Sequence, residues 1–189
     1  MNDTDELLDA TTALIPPLLT AIDVLSHAGR HLHPPNIPQL ISEVEPYRGP
    51  LQEGLEVFSA VQWPQHLQGF VSTTLKSAEL AMQSFNELLS AQNQSNPTMG
   101  AYRAMGYNTK ATEAIYPVAN MLPPVSRFFL LAELRDDEAL LAKVGAADPG
   151  RENVGVMHAA NGSDERGGFS MYVPEYYAGE QVPLVVALH

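Results

Sequence analysis

The chain has 189 residues, 45% of them apolar, and its 22 acidic against 10 basic side chains leave a net charge of −12. Only three of the bases are lysines, so the clustered positive charge that neutralises phosphate is missing; this argues against nucleic acid and disfavours docking on anionic membrane. With no cysteine, disulfides, thiolate nucleophiles and cysteine-bound zinc are excluded, which suits a reducing, cytoplasmic setting.

The N-terminus, MNDTDELLDA, is acidic where a signal peptide would be basic and then apolar. Apolar residues then recur at Leu7/Leu8, Leu14/Ile15, Leu18, Ile22, Leu25 and Leu32, one stripe at helical period over residues 4–33. Thr4 is the candidate N-cap, with Asp5 and Glu6 in the first turn, where the helix dipole favours carboxylates. Pro16-Pro17 falls inside the stripe, and a proline in a helix interior costs about 3 kcal/mol. The prolines predict a sharp kink or two abutting helices. They also interrupt ALIPPLLTAI, so no apolar run reaches the roughly 18 residues that a membrane span needs, and none is expected.

Pro34-Pro35 ends this element. Residues 36–62, punctuated by Pro38, Pro46, Pro50 and Gly54, predict short helices, one of them carrying Leu51, Leu55 and Phe58. The clearest helix spans residues 64–92. Pro64 opens it, and Leu67, Phe70/Val71, Thr74/Leu75, Ala78, Ala81/Met82, Phe85 and Leu88/Leu89 line one face. AQNQSNP is a polar loop; a further helix is expected over about 98–122, weakened by Gly106 and Pro117. VSRFFLLAEL and DDEALLAKVG supply one or two short helices, with Gly145 as a candidate C-cap.

After AADPGRENVG (146–155) the hydrophobic period changes from 3.6 to 2. VGVMHA (154–159) reads as a strand, NGSDERGG (161–168) as a hairpin connection, and FSMYVP places Phe169, Met171 and Val173 opposite Ser170 and Tyr172. PLVVAL (183–188) does not alternate, the pattern of a strand covered on both faces. The expected architecture is mixed α and β: a mostly helical N-terminal domain over residues 1–150, then a strand hairpin and a buried strand over 151–189.

DERGGFSMYVPEYY (164–177) and PLVVALH (183–189) resemble bacterial carboxylesterase and phospholipase-type serine hydrolases that carry a helical N-terminal region. The resemblance implies that residues 151–189 begin an α/β-hydrolase sheet. It also implies that His189 opens the His-Gly-Gly loop whose backbone N–H serves the oxyanion hole. No Gly-x-Ser-x-Gly occurs in the chain. The expectation is therefore the N-terminal part of an ester hydrolase, cut where the catalytic loops begin and inactive alone, whose complete form takes a small-molecule ester and needs no cofactor. A homo-oligomer is left open. The alternative is a non-enzymatic helical interaction module.

Other candidate sites read as ordinary structure. His27 and His31 are four apart, a spacing that lets two imidazoles share one helix face, with His33 close behind. No glutamate stands between them in a His-Glu-x-x-His arrangement and the nearest acid is Asp23, so no bound metal is expected at these three histidines. Ser26 adjoins His27, but neighbours in a helix diverge, which excludes a triad built on that adjacency. Asp136, Asp137 and Glu138 suit a helix start better than a pair of catalytic carboxylates. His158 reads as a partly buried strand residue. Tyr172, Tyr176 and Tyr177 fit a pocket lining and ordinary strand and turn enrichment equally well.

Overall fold

The computed structural model describes residues 3–146, 152, 154–160, 167–174 and 176–186. The chain packs as two compact units, Met1–Asp136 and Asp137–His189. The first is helical: α1 (Asp3–Arg30), α2 (Ile37–Val44), α3 (Arg48–Ala60), α4 (Gln68–Ala91), α5 (Pro97–Ile115) and α6 (Pro123–Phe128), joined in part by short 3-10 helices. The second contains α7 (Glu138–Ala146) and two strands, β1 (Gly155–Ala159) and β2 (Phe169–Val173). The helix α7, which the sequence groups with the helical domain, therefore falls in the second unit.

Pro16 and Pro17 do not divide α1, which runs unbroken through 28 residues. Of the two expected outcomes, a sharp kink or two abutting helices, the second does not occur. Burial accounts for it: Leu14, Leu18, Ala21, Ile22 and Leu25 are completely buried, and α2, α3, α4, α5 and α6 all pack against this helix. Tertiary packing of that size outweighs a proline cost of a few kcal/mol. Thr4 lies inside the first turn of α1, not at its cap. By length and composition α1 could cross a membrane; in this unit its apolar side is the centre of the core.

α4 and α5 form the most extensive helix pair, turned back through residues 92–96. Asn96 caps α5, its Oδ1 accepting from the Met99 N–H at 3.2 Å. Small residues line the seam. Ser77, Ser84 and Ala91 recur every seven residues on α4, and Ala104 and Ala111 recur likewise on α5, all of them buried. The Ser84 and Ser77 hydroxyls donate across it to the carbonyls of Ala104 (2.7 Å) and Ala111 (2.8 Å). Short side chains let the two backbones approach this closely. Pro117 ends α5 earlier than expected: beyond Ile115 the chain tightens into a 3-10 helix over Tyr116–Asn120.

At the other end of α4, Phe58, Trp63 and Phe70 stack with ring centres 4.5 to 6.0 Å apart. The Trp63 indole donates to the Phe58 carbonyl at 3.0 Å, which fixes the turn from α3 into α4.

The second unit matches the change of period. β1 and β2 pair antiparallel, Gly155 opposite Val173 and Ala159 opposite Phe169. Gly145 lies within α7 and is not its cap. The run expected as a buried strand is different: residues 183–186 are in no regular structure, and Leu184, Val185 and Val186 are 80%, 88% and 67% exposed. A strand needs a neighbour to pair with, and this run has none among the described residues. Of the expected sheet, the described residues form a two-stranded antiparallel pair.

Candidate functional site

In the second unit Val156, Phe169, Met171 and Tyr172 alternate along β1 and β2, and all four are exposed. Tyr176 is exposed and Tyr177 half-buried. His158 pairs with Ser170 in the ladder, but its side chain lies outside the described residues. His189, where the oxyanion-hole loop would begin, lies outside them too. What the described residues of the unit offer is exposed apolar side chains on a two-stranded sheet.

At the boundary between the units, Asp137 accepts from the Leu140 N–H at 3.0 Å through its side chain, and its own carbonyl accepts from the Leu141 N–H at 2.9 Å. It is the cap of α7. Asp136 and Glu138, also exposed, flank it.

Within the helical unit, Ser26 and His27 diverge. Ser26 Oγ accepts from the Asn108 amide of α5 at 2.9 Å, whereas the exposed His27 ring faces His31, centre to centre 4.4 Å. Asn108 also donates to the Ile22 carbonyl at 3.3 Å. The serine is therefore engaged in joining α1 to α5, and the two side chains are not a nucleophile and its base. Among the described residues no three His, Asp or Glu side chains come together as a metal-holding group.

An open groove of about 740 Å³ lies between α1 and α6 of this unit. Pro16, Leu19, Pro123 and Phe128 give it an apolar wall, and Arg127 and Arg135 stand at its rim with Asp23 and Asp136. Arg135 is held in place: its Nε donates to the Leu130 carbonyl (3.3 Å), its Nη2 to the Phe128 carbonyl (3.2 Å), and its guanidinium lies 5.6 Å from the Phe128 ring centre. Sequence reasoning missed both arginines. Their only signal was their position on either side of the apolar run FFLLAEL.

The ion pair described in the helical unit is structural. Arg103 Nε donates to Glu87 at 2.8 Å and Gln94 adds a bond at 3.2 Å, tying the α4–α5 turn together. These hydrogen bonds, that from Arg103 first, hold the Glu87 carboxyl below the usual glutamate value.

Comparison with protein-family models, with curated proteins and with solved structures finds no match to this chain.

Proposed function

We propose that the chain is the N-terminal part of a serine hydrolase of the carboxylesterase or phospholipase type, acting on carboxylic esters through an acyl-enzyme. One observation carries this reading: an antiparallel hairpin with exposed apolar side chains, followed by the exposed apolar run Pro183–Val186 that leads into Ala187, Leu188 and His189. An isolated pair of strands is marginally stable in water, and three adjacent exposed aliphatic side chains are costly. Both costs are met if further strands pair with residues 183–188 and helices cover them, the environment of a hydrolase core.

In that setting a serine at a strand-to-helix elbow attacks the ester carbonyl. A histidine takes its proton, an acidic residue orients the histidine, and backbone N–H groups, one of them from the loop opened by His189, hold the oxyanion. None of these 189 residues belongs to a nucleophile elbow. The chain by itself then has no esterase activity, because loss of the nucleophile removes the mechanism and not merely one contribution to it.

The coding sequence that follows the His189 codon is the direct check. The proposal expects Gly-Gly at once and Gly-x-Ser-x-Gly further on; a stop codon there sinks it.

A helical interaction module is the second reading, and one observation favours it. Every described residue of the buried core lies between Ala10 and Val125, within the helical unit. Under this reading the partner is a protein, and a stop codon after His189 selects it.

A further inference from the structure

His27 and His31 stand one turn apart at the exposed C-terminal end of α1. The helical turn continues past Arg30, since the His31 N–H donates to the carbonyls of His27 (3.3 Å) and Ala28 (3.2 Å). Leu25 and Ala28, on the opposite face of the same turn, are buried in the core. The two imidazoles are thus mounted on a fixed piece of helix.

Their ring centres are 4.4 Å apart. An ion bound in the plane of an imidazole at about 2.1 Å from nitrogen lies roughly 3 Å from the ring centre. Two rings binding one ion at right angles then have centres roughly 4.5 Å apart. The observed separation matches that distance, with the two ring planes tilted by 48°. His27 also borders a depression of about 320 Å³ together with Asp23, Arg30, Glu43 and Tyr47. Two carboxylates against one guanidinium, on a chain of net charge −12, favour a cation at this end of α1.

The geometry points to a two-histidine site at His27 and His31 for one borderline divalent transition-metal ion, with water completing its coordination. The sequence reading sets this pair aside because no glutamate stands between the histidines and the nearest acid is Asp23. No third protein ligand is needed for an open, exchangeable site, although its absence rules out a closed structural zinc centre. Imidazole suits copper, nickel and zinc, and the general order of affinities places copper(II) first. Asp23, one turn before His27, contributes charge and is not counted as a ligand.

The test is a calorimetric titration of copper(II) into the 189-residue chain, with electron paramagnetic resonance on the product. His27→Asn and His31→Asn are compared with His33→Asn and His66→Asn, and far-UV circular dichroism establishes that each variant folds. The expected result is one bound equivalent with a two-nitrogen signature. Losing either ligand should weaken it by at least as much as losing an outer-shell partner does, roughly 10–100-fold. His33→Asn and His66→Asn should leave it unchanged. Affinity unchanged in His31→Asn, or lost equally in His33→Asn, overturns the site, as does an absence of binding above that of the His27→Asn/His31→Asn double variant.

Discussion

Gly54 of α3 lies directly on the backbone of α1 at Ala13: a Cβ added at Gly54 would collide with the Ala13 carbonyl oxygen and come within 3.0 Å of the Leu14 Cα. Ala13 is four residues before Pro17, so the N–H that would normally bond this carbonyl does not exist. The proline and the glycine are therefore two halves of one contact. Pro17 frees a carbonyl on the face of α1, and a residue without a side chain lets α3 settle against it.

Gly54→Ala should accordingly lower stability by about 1–3 kcal/mol, the usual cost of overpacking against immovable backbone. Gly49 of the same helix has open space where its Cβ would stand. Gly49→Ala should be neutral or stabilising by up to about 1 kcal/mol, through the entropy of the unfolded chain. Urea unfolding of both variants checks the pair; equal effects would remove the contact from the account.

Across the α4–α5 seam, Ser84→Ala deletes a buried hydroxyl that donates to Ala104. The expected loss is about 1 kcal/mol, since the acceptor carbonyl keeps its own helical bond. Ser84→Val should cost more, because it loses the same bond and adds a second γ-carbon at a completely buried position. Thermal unfolding with the order reversed would mean that the hydroxyl bond, and not close approach, sets the spacing of this pair.

Glu87 gives a dependence on pH. Its folded value lies below the unfolded one of about 4.3, so its stabilising contribution is present above that pH and is lost as pH falls through the folded value. Glu87→Gln should therefore be less stable than the parent near neutrality, and the difference should shrink on acidification below about pH 4. The effect is small, because Arg103 is more than half exposed and the pair is solvent-screened. A stability difference that is constant from pH 7 to pH 3 would count against the ion pair.

The stripes of α1, α3 and α4 were legible because burial against several neighbours requires one continuous apolar face, and that requirement is written at period 3.6. The hairpin was legible from its change to period 2. What the sequence hid depends on partners. The unbroken run of α1 through Pro16-Pro17 needed the packing of α3, and the arginines of the α1–α6 groove come together only in three dimensions. PLVVAL reads as strand by composition, yet composition supplies no neighbour for it. Its described part is exposed.

That exposure has a consequence for the isolated chain. Leu184, Val185 and Val186 are exposed, as are Phe169 and Tyr172 of the hairpin, so the 189-residue chain should associate as its concentration rises. Removing residues 178–189, or introducing Val185→Lys, should reduce scattering at matched concentration. A monomer that loses helical signal when those residues are removed would instead make the run part of a finished fold, and the hydrolase reading would fall.

The most direct measurement is covalent labelling by a fluorophosphonate, applied to the 189-residue chain and to the product of the whole reading frame that contains it. The account predicts no labelling of the former. It predicts one labelled serine in the latter, within Gly-x-Ser-x-Gly and lost when that serine becomes alanine. A whole product that folds and takes up no label would contradict it.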